Sequence, residues 1–331
     1  DAYWEMYDQK HPFIYLDEIQ NISGWEKFAR RLSEAKHHVM ITGSNAKMLS
    51  REIASTLGGS YIQRNIYPFS FKEYLRYYHV KLDKNWAFQP ETRLMVVRHF
   101  NEYFIHGGFA ESFDHSDKRE WLTSLYQKIL MGDIVERNHI RNPRIFRLLA
   151  RKLAESVMQP TTLKRLEHII KSTGDSISPT VLKDYLDYME DAYLVFSIPN
   201  LVSQLTEQQT IVKRYFADNG ILGLFLVGGE TKLLENLVAI HLHKQYTNTD
   251  EELRLFYYNK NVEVDSCIPE ANMAVQVSYN IDDAVTYERE VGGLVKFLKA
   301  YKQYTGVIIT WDTERQLIED GITIEAIPVG K

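Results

Sequence analysis

Short apolar runs alternate with amphipathic segments in the first part of the chain, which predicts strands that alternate with helices. Phe13–Leu16 and Val39–Thr42 are apolar runs with the length of buried strands. Between them, Trp25–Ala35 places its large apolar side chains on one helical face. The stretch GGSYIQRNIY predicts a third strand, which a proline separates from a further helix. This alternation is typical of a parallel α/β sheet and predicts one α/β domain over residues 1–80.

Residues 81–170 have a mostly helical pattern, which predicts a helical region after the first domain. In residues 171–200, Ser178 is a favourable N-cap and Pro179 is a favourable first helical residue. A predicted strand at Tyr193–Ile198 follows that helix. A helix, a short turn and a strand in this order are typical of a winged-helix unit, and we predict such a unit over residues 171–200.

The last zone, residues 201–331, returns to an α/β pattern. Helices are predicted at Leu233–His243 and Glu288–Tyr301. Strands are predicted at Leu255–Tyr258, Val262–Ile268, Met273–Val277 and Val307–Trp311.

The composition excludes several classes of protein. Cys267 is the single cysteine among 331 residues, which excludes an internal disulfide framework and a cysteine-rich zinc site. No apolar run reaches the roughly 20 residues that a membrane span needs. The net charge of −5 gives no overall basicity for nucleic acid. We therefore expect a cytoplasmic protein that does not enter a membrane. The start, DAYWEMYDQK, has no signal-peptide pattern. Because it also has no initiator Met, we expect the natural N-terminus to lie upstream.

Two acids directly follow the first predicted strand. An apolar strand that ends in Asp-Glu is the Walker B arrangement of nucleotide hydrolases. In that arrangement Asp17 holds a phosphate-bound Mg²⁺, and Glu18 polarises the attacking water as a general base. The alternative is a chance strand end, because apolar runs followed by two acids occur in many proteins.

The second predicted strand also ends in polar side chains. Thr42, Ser44 and Asn45 follow it, and the strand beside Walker B often ends in a residue that senses the γ-phosphate. We predict Ser44 and Asn45 for this role. The alternative is a turn that uses glycine and asparagine for backbone reasons.

Several stretches together resemble the prokaryotic AAA-type ATPases of the P-loop superfamily, which carry an uncharacterised C-terminal domain. The resemblance covers nearly the whole chain. It implies an ATPase core at residues 1–80, a helical lid at residues 81–170, and ATP with Mg²⁺ as cofactor. The stretches are FIYLDEIQNISGWEKFARRL, VMITGSNAKMLSREIASTLGGSYIQRNIYPFSFKEYL, YFIHGGFAE, YFADNGILGLFL, LLENLVAIHL and YYNKNVEVDSCI.

The phosphate-binding loop of that family, G-x-x-x-x-G-K-[ST], is absent from the sequence. Its backbone N–H groups and lysine hold the β- and γ-phosphates. We therefore expect that the sequence begins downstream of the loop and that the P-loop-type parallel sheet is incomplete at its N-terminal end. We also expect these residues alone to bind and hydrolyse no ATP, whereas the complete protein would act as an ATP-dependent switch.

A basic segment runs from Arg137 to Lys171, with nine Lys and Arg against two Glu. One interpretation is a phosphate-facing surface for nucleic acid or nucleotide, and one of its arginines could serve as an arginine finger. The alternative is a solvated helix face. This segment also favours a second function, a non-catalytic nucleic-acid-binding or regulatory module with a protein partner or a second copy. The predicted contact residues are Arg137, Arg141, Arg144 and Arg151.

The C-terminal zone resembles the PD-(D/E)xK nuclease fold. Glu235 lies on a predicted helix, and Glu263 and Asp265 alternate along one strand, so both point to the same face. An active nuclease needs Glu-x-Lys on the following strand, where this sequence has Gln276 and Ser278. We therefore expect an inactive restriction-endonuclease-like domain over residues 201–331, in which Glu235 and Asp265 bind metal weakly. The alternative is a set of polar residues at a sheet end.

Overall fold

Two compact units make up the computed structural model of the protein. The first contains the described residues up to Asn65 together with Asp191–Tyr193, and the second contains Ile66–Glu190 and the described residues from Leu194 on. The structure describes residues 13–19, 22, 24–43, 61–62, 64–204, 211–247 and 254–330.

The first unit contains a parallel pair of strands and the helix that connects them. Strands β1 (Phe13–Leu16) and β2 (His38–Ile41) pair in parallel, and helix α1 (Trp25–Glu34) lies between them in the chain. Trp25 and Ala29 of α1 are buried and pack with the apolar ends of both strands. The three elements confirm the predicted strand–helix–strand pattern. The predicted third strand is wrong for its described residues, 61–62 and 64–67, which are irregular and lead into Pro68.

The second unit begins with a helical region, as predicted. Each helix starts at a residue suited to that position: Ser70 forms a capping box with Glu73, and Asp117 accepts a hydrogen bond from the N–H of Glu120. Pro143 occupies a first-turn position. The helices are α2 (Phe71–Tyr77), α3 (Pro90–His106), α4 (Lys118–Lys128), which continues as a π-helical segment over Ile129–Glu136, and α5 (Pro143–Glu155).

A small antiparallel sheet follows α5. Its strands lie in the order β3-β5-β4, so the last strand in the chain is central. The N–H of Val181 donates to Ser178 Oγ at 3.3 Å, which confirms the predicted N-cap. The elements are β3 (Thr161–Thr162), α6 (Leu163–Ser172), α7 (Pro179–Asp191), β4 (Val195–Pro199) and β5 (Ile211–Phe216).

A mixed six-stranded sheet forms the rest of the second unit. Its order is β10-β11-β9-β8-β7-β6, with β8, β9 and β11 parallel and the outer strands antiparallel. With the parallel pair of the first unit, this sheet confirms the α/β class. Its elements are α8 (Asn219–Gly223), α9 (Glu230–Tyr246), β6 (Phe256–Asn259), β7 (Glu263–Ile268), β8 (Met273–Val277), α10 (Ala284–Tyr287), α11 (Gly293–Ala300), β9 (Thr305–Thr310), β10 (Arg315–Glu319) and β11 (Ile322–Pro328).

Helix α11 covers one face of this sheet. Leu294 and Phe297 of α11 pack with Val264 of β7 and Ile308 of β9 in a fully buried core. Burial of such side chains stabilises a fold by about 1.5–3 kcal/mol each. Helix α10 continues through a π-helical turn over Glu288–Gly292 into α11. The helical segment therefore starts at Ala284, four residues before the predicted start at Glu288.

A buried carboxylate connects the helical region to the start of α8. Asp218 Oδ2 accepts from the N–H of Gly108, and Asp218 Oδ1 accepts from the N–H of Gly220, each at 2.8 Å. A Cβ on Gly107 would lie 2.0 Å from Asp218 Oδ1, so only glycine fits there. Gly107 and Gly108 therefore allow a contact with Asp218, which lies 110 positions after Gly108 in the chain.

Candidate functional site

Asp17 and Thr42 meet at one edge of the parallel strand pair in the first unit. Each residue directly follows its strand, and the carboxyl ends of parallel strands lie at the same edge of a sheet. Thr42 Oγ1 donates a hydrogen bond to Asp17 Oδ1, and the Thr42 N–H donates to the carbonyl of Leu16 at 2.9 Å. The polar side chain that contacts the predicted metal ligand is therefore Thr42, the first of the three that follow β2.

Glu18 lies in the turn that leaves this edge. Its φ is +47°, a left-handed conformation that non-glycine residues seldom adopt and that often occurs at functional sites. Both Asp17 and Glu18 are exposed. Ser44 and Asn45 lie outside the described residues, so their predicted role in nucleotide sensing stays a prediction.

One face of the β1–β2 pair is apolar and exposed. Phe13 is 71% exposed and Met40 is 57% exposed, and Tyr15 of β1, which is also exposed, lies opposite Met40. Phe13 stacks on His38 of the partner strand at 4.8 Å between ring centroids. Parallel sheets normally have both faces covered by other elements. Among the described residues, nothing covers these side chains.

The predicted arginines of the basic segment differ in exposure. Arg137 is largely buried and lies 3.6 Å from Asp133. Arg141 is exposed before α5, while Arg144 and Arg151 are exposed on α5 itself. Arg147, which the predicted set did not include, is exposed on the same helical face, since positions 144, 147 and 151 are spaced by three and four residues.

A second candidate site lies where β5, α9 and β7 meet in the second unit. The Lys213 Nζ lies 2.8 Å from Asp265 Oδ1, 2.9 Å from Glu263 Oε1 and 3.3 Å from Glu235 Oε1. Tyr215 Oη donates to the same Glu235 oxygen at 2.7 Å. We call these five residues the Lys213 cluster. Three segments that are distant in the chain thus supply one buried group of charges.

The Lys213 cluster is almost closed to water. The side chain of Lys213 is 0% exposed, and Glu235 and Asp265 are also buried, whereas the side chain of Glu263 is 44% exposed. Burial alone would lower the pKa of Lys213, but the carboxylates of Asp265 and Glu235 outweigh it and raise that pKa well above its ordinary value. Burial, and then the nearby Asp265 carboxylate, raise the pKa of Glu235 to about 7. The ammonium is therefore charged at neutral pH.

The residues at the nuclease-like Glu and Lys positions make other contacts. Gln276 Oε1 accepts from the Asp265 N–H at 3.3 Å, while its Nε2 donates to Glu290. Ser278 Oγ donates to the carbonyl of Asn280 at 2.9 Å. Glu235, Asp265, Gln276 and Ser278 are all buried, so the structure places the predicted set inside the unit and not on an open surface.

Lys213 is the member of the cluster that sequence reasoning missed. It lies in β5, a strand that was not predicted, and it is separated from Glu235 and Asp265 by 22 and 52 residues. The available signal was a Lys-Arg pair inside the apolar run TIVKRYF. A charged side chain within such a run needs a buried partner, because strands of this kind are covered on both faces.

Two further searches were negative within the described ranges. No group of three or more His, Cys, Asp or Glu side chains has an arrangement that could hold a metal ion. In the part of the chain that the structure describes, no helix has both the length and the apolar character needed to cross a membrane.

Comparison with known proteins identifies two matching segments. Residues 1–75 match a family model described as an AAA domain, and residues 97–232 match one described as a domain of unknown function (DUF8612). The AAA resemblance is thus confirmed for the segment that contains β1, Asp17, Glu18 and Thr42. Apart from its AAA type, the match assigns no activity to the chain.

Two relatives extend the similarity over most of the chain. An uncharacterised protein of Methanocaldococcus jannaschii is 32% identical over 295 residues, which cover 87% of this chain and 66% of the relative. An uncharacterised protein of Haemophilus influenzae is 28% identical over 326 residues, which cover 96% of this chain and 76% of the relative. The chain therefore spans slightly less than two thirds of the first of these proteins.

The raised pKa of Glu235 predicts a pH-dependent stability. In the folded protein the pKa of Glu235 is about 7, whereas its ordinary value is 4.5, so Glu235 becomes a charged partner of Lys213 as the pH rises through about 7. Between these values the folded state binds more protons than the unfolded state, so the free energy of unfolding falls as the pH rises. The glutamine in Glu235→Gln cannot titrate. The melting temperature of this variant minus that of the wild type should therefore increase by a few degrees between about pH 5 and about pH 8.

Thermal unfolding of both proteins across this pH range measures the effect. Glu288→Gln is the control, because Glu288 is exposed and pairs with Lys296 at 3.5 Å. Its melting temperature should follow that of the wild type. A Glu235→Gln curve that also runs parallel to the wild type would contradict the raised pKa.

Proposed function

We propose that the protein is an ATP-dependent switch of the AAA type, with its nucleotide site at the edge where Asp17 and Thr42 meet. The contact between these two side chains carries the proposal. It lies at the carboxyl ends of two parallel strands, which is the edge where open α/β sheets bind ligands. The match of residues 1–75 to an AAA domain supports the same site.

The side chains at this edge suit Mg²⁺ and a triphosphate. ATP with Mg²⁺ would supply the γ-phosphoryl group and the metal that neutralises its charge. Asp17 is an exposed carboxylate whose orientation is set by the Thr42 hydroxyl, so it can serve as a ligand or orient a metal-bound water. Glu18 follows directly and is proposed as the general base. Ser44 and Asn45, two and three residues beyond Thr42, are proposed to sense the γ-phosphate.

The phosphate-binding loop is proposed to come from residues outside this sequence. The 331 residues contain no G-x-x-x-x-G-K-[ST] motif. The exposed face of Phe13, Tyr15 and Met40 supports the proposal, because a further strand and helix of an AAA domain would cover apolar side chains of this kind. The greater length of the first relative leaves room for such a segment.

The second unit contains two arrangements that we propose as accessory modules. The order α5, β3, α6, α7, β4, β5 with a β3-β5-β4 sheet resembles that of a winged helix, and it extends over residues 143–216 and so beyond the predicted unit of residues 171–200. Its third helix, α7, has the acidic residues Asp184, Asp187 and Glu190, and acidic side chains repel DNA phosphates. We therefore propose that this helix serves packing or protein contact and does not read bases.

The C-terminal sheet supports a nuclease-like origin without nuclease activity. Helix α9, strands β6, β7 and β8, helices α10 and α11 and strand β9 follow one another in an order that resembles the PD-(D/E)xK fold. Gln276 and Ser278 replace the acidic and basic residues that catalysis needs. The burial of Asp265 and Glu235 around Lys213 leaves no access for a DNA phosphate. We propose that this module is catalytically inactive.

A second candidate function is nucleic-acid binding through α5. The exposed face of Arg144, Arg147 and Arg151 favours it. Guanidinium groups that neutralise backbone phosphates supply the sequence-independent part of nucleic-acid binding. Arg141 precedes this face, and Arg137 is proposed to support it through Asp133 and not to contact phosphate directly.

Glu18→Gln tests the ATPase proposal in the natural full-length protein. A general base contributes about 100-fold or more to the rate, so kcat should fall at least that far while ATP binding is retained. Steady-state hydrolysis and nucleotide-binding titrations measure the two effects. Glu34→Gln is the control, because Glu34 is exposed on α1 and pairs with Arg30 at 2.8 Å. Unchanged turnover in Glu18→Gln would exclude this residue as the base.

Replacing Arg144, Arg147 and Arg151 by Ala together tests the nucleic-acid surface. If the three bind phosphates, the slope of log affinity against log salt should become shallower by about 2–3. Fluorescence anisotropy with labelled duplex DNA at several salt concentrations measures the slope. The matched control removes three exposed lysines at Lys296, Lys299 and Lys302. Equal slopes for both triple variants would refute a specific arginine surface.

A further inference from the structure

We propose that Glu235, Glu263 and Asp265 form a cation site whose resident cation is the ammonium group of Lys213. The proposal concerns the second unit and is independent of the ATPase proposal. It assigns to Lys213 the position that a divalent metal ion would take between these carboxylates. The side chain thereby fastens the small sheet that contains β5 to the helix α9 and the strand β7.

The distances support a single cation position. Three carboxylate oxygens from three residues lie between 2.8 and 3.3 Å from one Nζ atom. Oxygen ligands of Ca²⁺ lie at about 2.3–2.6 Å, so a modest contraction would convert the same oxygens into a metal shell. The ammonium has three N–H donors, which is the number of carboxylates that it contacts.

Further protein groups donate hydrogen bonds to two of the carboxylates in the cluster. Asp265 Oδ2 accepts from the N–H of Val277 at 2.9 Å, and Glu235 Oε1 accepts from Tyr215 Oη at 2.7 Å. The aromatic ring of Tyr257 lies 5.8 Å from Lys213 Nζ and covers it from another side. The Lys213 ammonium occupies the position at which the three carboxylates converge.

The chain positions of these residues give the contact its structural role. Lys213 is central in the three-stranded sheet, whereas Glu263 and Asp265 belong to the six-stranded sheet. Glu235 comes from the helix between them. Removing one member of a buried charge group leaves the others without compensation, which is strongly destabilising, whereas neutral replacement of the whole group is often tolerated. The charges therefore act as one unit.

Lys213→Ala in the full chain tests the cation site directly, with Mn²⁺ alone as the probe. Removal of the ammonium should allow Mn²⁺ to bind with a dissociation constant of about 0.1–1 mM, as in weak carboxylate sites. The melting temperature should then rise by about 5 °C at roughly 10 mM Mn²⁺. The wild type and the Lys213→Ala/Asp265→Asn double variant should show no such rise. A Lys213→Ala protein that folds and does not respond to Mn²⁺ overturns the proposal.

A second set of variants applies even if Lys213→Ala does not fold. Lys213→Met keeps the side-chain volume and should lower the melting temperature by roughly 10 °C or prevent soluble expression. Adding Glu235→Gln and Asp265→Asn removes the uncompensated charges and should restore most of the loss. If the triple variant Lys213→Met/Glu235→Gln/Asp265→Asn is no more stable than Lys213→Met alone, that result would show that Lys213 does not act as the counter-charge of these carboxylates.

Discussion

The second unit depends on the balance of charge around Lys213. A fully buried ammonium carries a desolvation cost of several kcal/mol, which only close and well-satisfied carboxylates offset. Asp265 and Glu235 meet this condition, and each comes from a different element of the fold. The small sheet, helix α9 and the six-stranded sheet must therefore come together before the charge is compensated. This requirement couples parts of the unit whose sequences give no indication that they are neighbours.

The same requirement distinguishes the Lys213 cluster from an open metal site. An open site would expose Asp265 and Glu235 to solvent and metal ions, whereas here both are buried and contact Lys213. Gln276 then needs no negative charge, and its amide instead bridges the Asp265 N–H and Glu290.

The pattern of apolar and capping residues predicted those elements of the fold that are stabilised by residues close together in the chain. The β1 strand, helix α1 and the N-cap at Ser178 follow from apolar periodicity and capping preferences, and the acids after β1 were found because they end an apolar run. Lys213 and the contact between Asp218 and Gly108 were missed because the residues that meet there are 22 to 110 positions apart in the chain. The structural roles of these charged side chains depend on the tertiary contacts that bury them, and the periodicity of a single sequence does not predict such contacts.

The two units thus present different kinds of polar site. Asp17 and Glu18 are exposed at a strand edge, where the proposed nucleotide site would be accessible, and the AAA match covers them. The Lys213 cluster is almost closed to water, and its carboxylates already contact the Lys213 ammonium.

The most direct test of this account is a crystal structure of the wild-type chain soaked in Mn²⁺, with anomalous scattering recorded at the manganese edge. The account predicts no anomalous peak among Glu235, Glu263 and Asp265, with Lys213 Nζ within hydrogen-bonding distance of all three. An anomalous peak between these carboxylates, with the Lys213 side chain turned away, would contradict it.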